Sequence, residues 1–391
     1  MSYDFDNPRT PRGRHTSRYD GIEKAFGYDA PDMIAMWVAD MDFAAAPPIL
    51  EALRAEVEYG YMGYFSKPEK VNAAVAGWYR DRHGWDMEPG WVRYTHGLIS
   101  GYGDVIATYS EPGDSVILFS PVYHAFFRQI EAMGRVALES PLVLRDGQYH
   151  MDLDALGASL TGRERVLTFC SPHNPGGRIW TGDEIRALAD FCAAKDLILI
   201  SDEIHMDLTF PGVSFTPTAV AAPDHLDRLV VLTAASKAFN IAGLETGLLM
   251  APDRAVRRKL DQTILDRESS PNRMAMAAIR AAFEHSDGWL DAVREYIAGN
   301  FEIFSRRMNA LPGVSVMPMQ ATYLAWVDFT ATGMEDAELL TRVLRQAHVA
   351  PTPGTQFRQG GSGHLRFNLA LSRPMLNQAL DRIEAAFTDL Q

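Results

Sequence analysis

The chain is expected to fold as an α/β protein built on a mostly parallel sheet, and three observations lead there. Five short apolar runs recur through its middle: DSVILFS (114–120), RVLTFC (165–170), LILISDE (197–203), LVVLTAA (229–235) and GLLMAP (247–252). Such continuous runs are the mark of strands buried on both faces. Between two of them, TGDEIRALADFCAAKD reads as a helix, opened by a capping box of Thr181 and Glu184, with Ile185, Leu188, Ala189 and Cys192 on one stripe. Length supplies the third observation: 391 residues with 47% hydrophobic content can build two domains, or one large domain with an appendage.

Taken in chain order, the N-terminal segment NPRTPRGRHTSRYD carries Arg9, Arg12, Arg14 and Arg18 and reads as a solvated or domain-bracing tail. The strand and helix alternation then occupies the middle. Towards the C-terminus VSVMPM and TYLAWVDF read as strands. EDAELLTRVLRQAH and PMLNQALDRIEAAF read as amphipathic helices, the latter with Pro374 in its first turn. In HLRFNLAL the residues His364, Arg366 and Asn368 alternate with Leu365, Phe367 and Leu369, so by period alone Arg366 faces solvent from a half-buried strand.

Composition narrows the function. A net charge of -13 repels nucleic-acid phosphates and anionic lipid, so small-molecule chemistry is favoured over either partner. Only Cys170 and Cys192 are present, without CxxC spacing, which points away from a disulfide framework or structural zinc and towards a reducing compartment. The segment MSYDFDNPRT lacks an apolar leader core, and no run approaches the roughly 18 apolar residues of a membrane span. The expected location is the cytoplasm.

In a parallel sheet ligands gather beyond the carboxyl ends of the strands. Those ends read Ser120-Pro121-Val122-Tyr123, then Ser171-Pro172-His173-Asn174-Pro175-Gly176-Gly177, then Ser201-Asp202-Glu203-Ile204-His205, then Ser236-Lys237. An aromatic ring, an amide, a carboxylate and a lysine would converge at one edge. That set suits an aromatic, phosphorylated aldehyde: an amine to join it, an acid to keep a ring nitrogen protonated, an amide for a ring oxygen and a face to stack on. Taken singly, each has a plainer reading: a surface lysine, a loop-capping aspartate, a turn at Asn174-Pro175-Gly176-Gly177, a packed tyrosine. Asp202, Glu203, His205 and Asp207 also admit a metal site, but no second ligand cluster completes it.

Order and context decide between these. SPHNPGGRIWT, ISDEIHMDL and SKAFNIAGL closely resemble the fold-type I pyridoxal-phosphate enzymes of the class I/II aminotransferase superfamily. MWVADMDF (36–43), RHTSRYD before it, and YLAWVDF and LRFNLA after it narrow the likeness to the cystathionine beta-lyase branch of MalY and PatB type. The resemblance covers essentially the whole chain. It implies an aspartate-aminotransferase-like fold, with residues 46–283 as the large cofactor domain and residues 1–45 plus 284–391 as an N-terminal arm and smaller α+β domain.

Carried over residue by residue, the resemblance makes Lys237 the Schiff-base lysine, Asp202 the partner of the pyridine nitrogen and Asn174 a donor to the ring oxygen. Tyr123 and Ile204 would cover the two ring faces and His205 would sit near the ring oxygen. Backbone N–H groups of Gly97, Leu98 and Ile99, with the Ser236 hydroxyl, would hold the phosphate. Tyr64, in GYMGYF, would reach the phosphate of a neighbouring subunit, which implies a homodimer. Arg366 would grip the amino-acid carboxylate as a fork, beside Asn174 and the loop around Ala39.

Three departures from the family pattern stand out: Glu245 where many relatives place a phosphate-binding arginine, Ala238 after the lysine instead of threonine, and Arg358 after Phe357 where glycine is usual. The first agrees with the lyase branch. Three functions stay open here: a carbon–sulfur β-lyase on cystathionine-like amino acids, an aminotransferase with the same site, and a regulatory or binding protein that keeps the fold. A dinucleotide-binding reading fails for want of a G-x-G-x-x-G after a first strand.

Overall fold

Seven strands form one sheet in the computed structural model, which describes residues 3–8, 11–267 and 271–390. In spatial order they are Val92–Thr95, Gly247–Met250, Leu229–Thr233, Ile198–Asp202, Glu164–Cys170, Ser115–Ser120 and Val136–Pro141. All neighbours run parallel except Gly247–Met250, which is antiparallel to the strands on both sides. Side chains alternate across the pleat. Ile117, Phe119, Leu167, Phe169, Leu199 and Val231 enter one core, whereas Val116, Leu118, Val166, Ile200, Val230 and Leu232 enter another. Each face therefore demands apolar residues, which is why the runs show no polar alternation.

Helices cover both faces. Leu98–Tyr109, His124–Ala132 and Arg254–Asp266 pack on one, and Glu69–His83, Gly182–Ala194 and Arg273–His285 on the other. Thr181 caps Gly182–Ala194, and both reciprocal bonds of the capping box with Glu184 are formed. Its stripe of Ile185, Leu188, Ala189 and Cys192 is fully buried.

A second sheet of five strands runs Ile34–Met36, Val349–Pro353, His364–Asn368, Leu324–Asp328 and Ser315–Val316. Helices Asp287–Met308 and Arg373–Ala386 bury Phe304, Met308, Leu376, Leu380 and Ile383 against one side. The other side meets the large sheet's core through Leu324, Trp326 and nearby Phe357. This second contact corrects the reading of Arg366, which is only 3% exposed. Period 2 marks a polar face, but protein covers that face, so the arginine opposite Trp326 is enclosed.

Two further expectations change in detail. The stretch VSVMPM contributes only Ser315–Val316 as strand, because Pro318 has no N–H to continue a ladder. EDAELLTRVLRQAH is α-helical over Asp336–Thr341 and widens into a π turn over Arg342–Gln346. In the basic arm, Arg9 lies outside the described residues, while Arg18 braces the interior. Its guanidinium donates to the carbonyls of Ala35 (3.1 Å) and Asp40 (2.6 Å) and pairs with Asp40 and Asp42.

Candidate active site

The strand ends are flush. Cys170 lies opposite Asp202, and Asp202 opposite Leu232, so the segments leaving these three parallel strands emerge at one edge. A cleft of about 430 Å³ opens there. Among its lining residues are Ala39, Gly97, Leu98, Ile99, Tyr123, Asn174, Asp202, Ile204, His205, Ser236 and Lys237, all singled out from the sequence. Arg366 stands just behind the wall, donating to Asn174 Oδ1 (3.0 Å), the Trp37 carbonyl (2.8 Å) and Thr352 Oγ1 (3.1 Å). Tyr64 is elsewhere: it is 95% exposed and lies outside the cleft of its own chain.

Lys237 sits on the short helix Ala235–Ala238 that follows strand Leu229–Thr233. Its Nζ donates to the Ala39 carbonyl at 2.7 Å, and the Tyr323 hydroxyl donates to the same oxygen at 2.9 Å. Burial pushes its pKa down to about 8; Asp40 and Asp202 oppose that shift and Arg366 reinforces it. About a tenth of this amine is therefore uncharged at pH 7, far more than at the ordinary lysine value.

Asp202 ends its strand, and its carboxylate accepts one hydrogen bond among the described residues, from the Ile204 N–H at 3.1 Å. Burial raises its pKa to about 7; the Ile204 N–H opposes the rise, neighbouring Glu203 adds to it and Lys237 offsets part of it. An enclosed carboxyl with so little to neutralise it is a seat for a cationic partner. The other two acids of that cluster turn away, while His205 stays in the cleft wall. Glu203 accepts from Ser201 Oγ and the Thr218 N–H, and Asp207 accepts from Trp78 Nε1 and lies 2.7 Å from His83 Nε2. No metal-holding group of His, Cys, Asp and Glu occurs among the described residues.

At the opposite end Gly97 precedes helix Leu98–Tyr109 with φ 79° and ψ 161°, a conformation that glycine alone adopts readily. No side chain caps this helix start, so its first N–H groups remain available beside Ser236. Asn174 turns its Oδ1 to Arg366, which leaves its amide NH₂ for the cleft. His205 Nδ1 and Arg366 Nε are buried without partners. A protonated ring nitrogen at Asp202 and an anion at Gly97–Ser236 would satisfy this donor and acceptor set, so the residues fit pyridoxal phosphate.

Several lining residues carried no sequence signal. His96, Ser100, Thr246 and Cys170 are such residues, while Glu245, noted in the sequence only as a departure from the family's arginine, lines the cleft beside them. Asn240 is more consequential. Its Oδ1 accepts from the Met41 N–H, and its Nδ2 donates to the carbonyls of Met41 and Phe43. Asn368 Nδ2 holds the carbonyls of Val38 and Asp40. The segment 37–43 is thus a strap across the cleft, tied by side chains from three separate parts of the chain.

Comparison with known proteins agrees with this geometry. A model of the aminotransferase class I and II family matches residues 32–383. Cystathionine beta-lyase PatB of Bacillus subtilis is 37% identical over 388 residues, spanning 98% of this chain and all of that protein. Protein MalY of Escherichia coli is 32% identical over 97% of each chain. The crystal structure of cystalysin from Treponema denticola, which contains pyridoxal 5'-phosphate, superposes over all of both chains with a TM-score of 0.96 at 29% identity. With nine-tenths of its length matched and these motifs in place, the chain belongs to the aminotransferase class I and II family.

Proposed function

We propose that this chain is a pyridoxal-phosphate-dependent carbon–sulfur β-lyase that cleaves cystathionine or a related S-substituted cysteine to a thiol, pyruvate and ammonia. One observation carries the reading: a lysine amine of lowered pKa and a buried, under-neutralised acid face one cleft from adjacent strand ends. Kinship along the whole chain to PatB, named a cystathionine beta-lyase, favours elimination over amino transfer.

When bound, pyridoxal phosphate supplies an aldehyde that joins an amine and a ring that draws electrons from the substrate α-carbon. Lys237 would provide that amine and, as a free amine, would accept or return a proton at the substrate α-carbon. Asp202 would keep the ring nitrogen protonated, Tyr123 and Ile204 would cover the ring faces, and Asn174 would donate to the ring oxygen, with His205 near it. The N–H groups of Gly97, Leu98 and Ile99 and the Ser236 hydroxyl hold the phosphate. Arg366, oriented by Asn174 and the Trp37 carbonyl, takes the substrate carboxylate. In this assignment residues 46–283 hold the cofactor, and the arm with 284–391 supplies the carboxylate grip.

Val57, Tyr59, Tyr61, Met62 and Tyr64 are all exposed within one short stretch, an apolar patch that suits a second copy of the chain. A homodimer would bring Tyr64 to the neighbouring phosphate site, and a sedimentation mass of a single chain would remove this part of the reading. No described helix is long and apolar enough to cross a membrane. Two buried free thiols, Cys170 and Cys192, suit a reducing cytoplasm.

The test is to incubate the loaded protein with cystathionine and S-alkyl cysteines while following thiol and pyruvate. The lyase reading expects both products without any acceptor, and expects Lys237→Ala to abolish them. A new amino acid formed only when a 2-oxo acid is added would assign amino transfer instead.

A further inference from the structure

Arg358 occupies a backbone conformation with φ 68° and ψ -139°, strongly disfavoured for any residue with a Cβ. Such a conformation persists only where surrounding contacts hold it. Three do so here. The guanidinium pairs with Glu131 on helix His124–Ala132 at 2.6 Å and lies 5.1 Å over the Phe127 ring of the same helix. The next residue, Gln359, donates its N–H to Glu139 at 3.3 Å. One residue further, Gly360 sits so close to Pro121 that a Cβ there would approach the proline ring at 3.1 Å. The loop 354–361 belongs to the second sheet, yet every one of these contacts is to the large sheet's side of the cleft.

What the loop carries inward gives the latch its meaning. Phe357, immediately before Arg358, is fully buried, and the Arg366 guanidinium lies 5.0 Å over its ring. Trp326 and His124 meet the same ring edge-on at 5.1 and 6.2 Å. The two faces and the rim of Phe357 are thus set by where the loop is pinned.

We propose that Arg358 is a positioning residue for amino-acid binding: by latching loop 354–361 to helix His124–Ala132 it fixes Phe357 as the platform beneath Arg366. This rests on the reading of Arg366 as the grip for the substrate carboxylate. Arg358 touches no reacting atom. It sets the affinity for the amino acid, and the chemical step proceeds unchanged once substrate is held.

The consequences separate from a merely structural role. Arg358→Gly relieves the backbone strain while releasing the latch, and Glu131→Gln removes the ion pair at an exposed helix position without altering volume. Each should raise KM for cystathionine, and the dissociation constant of L-alanine, which has no β leaving group, read from the cofactor absorbance, by roughly twofold to fivefold, the scale of one exposed ion pair. In both, kcat should stay within about twofold and the salt dependence of KM should flatten. In the cofactor-free chain, amide hydrogen exchange over 355–361 should quicken in both variants. Unchanged KM and unchanged exchange in Arg358→Gly and Glu131→Gln would overturn the inference. Arg366→Lys keeps the two ideas apart. If it leaves L-alanine affinity intact, the carboxylate grip is elsewhere and the underlying reading fails; if it weakens affinity while the latch variants do not, only the latch fails.

Discussion

At Asp202 a carboxyl group only 3% exposed lines the cleft with a single backbone N–H bonded to it, and burial raises its pKa. Because the folded value, about 7, lies above the unfolded 3.8, the folded cofactor-free chain binds this proton more tightly than the unfolded chain. Its stability must then fall as pH rises from about 4 to about 7, by up to about 1.4 kcal/mol per unit for this group. Asp202→Asn cannot ionise, so the thermal midpoint of the cofactor-free variant, relative to the parent, should climb across that range and level off above it. Glu203, raised to about 7 by its own burial, is present in both proteins, and because it repels Asp202 it ionises more easily in the variant, which adds to the climb. A flat difference between pH 4 and 7 would show that Asp202 is solvated or already paired. Lys237 and Asp202 were legible in the sequence because they stand at or shortly beyond the ends of buried strands, in motifs whose order resembles the family. Period alone would set Arg366 facing solvent, since a period of two reports a polar face without saying what covers it, and only the resemblance drew it to the site. Tyr323 and Asn240 were invisible, because a tyrosine after a turn and an asparagine in a loop have dozens of ordinary explanations.

At the scale of elements, the strap 37–43 decides the shape of the cleft. It is not paired as a strand across the cleft, and its carbonyls are satisfied largely by side chains: Trp37 by Arg366 and Thr352, Val38 by Asn368, Ala39 by Lys237 and Tyr323, Asp40 by Arg18 and Asn368, Met41 by Asn240. Asn240 reaches it from a left-handed position, φ 55°, that asparagine tolerates better than most residues. Asn240→Ala removes three hydrogen bonds and strands the Met41 N–H and the carbonyls of Met41 and Phe43. The expected loss is about 2–4 kcal/mol, measurable as a lower denaturant midpoint with the same m-value. A loss below about 0.5 kcal/mol would mean that water replaces the amide freely. The motif MWVADMDF located this strap in the sequence, but the clamps did not show, since they come from residues about 200 and 330 positions away. The direction of Gly247–Met250 was equally hidden, because a strand buried on both faces has the same composition whichever way it runs.

Across the whole molecule, the parts that hold the site come from a sheet in the middle of the chain, an arm at its start and a second sheet at its end. The arm contributes Arg18 and the strap, the large sheet Lys237 and Asp202, and the second sheet Tyr323, Arg366 and Asn368. The α/β class and the main strand and helix positions followed from runs and caps alone. How the second sheet closes on the first depended on contacts between distant residues, such as Phe357 with Trp326 and Arg366, that no local pattern encodes. The net charge of -13 favours small-molecule partners over nucleic-acid phosphates or anionic lipid. All of it serves one amine in one cleft. The most direct measurement is to add pyridoxal phosphate to the cofactor-free protein, reduce with borohydride, and map the modified peptide. The account predicts a yellow protein before reduction and a single label on Lys237 after it, absent from Lys237→Ala. A colourless protein, or a label spread over surface lysines with Lys237 untouched, would contradict it.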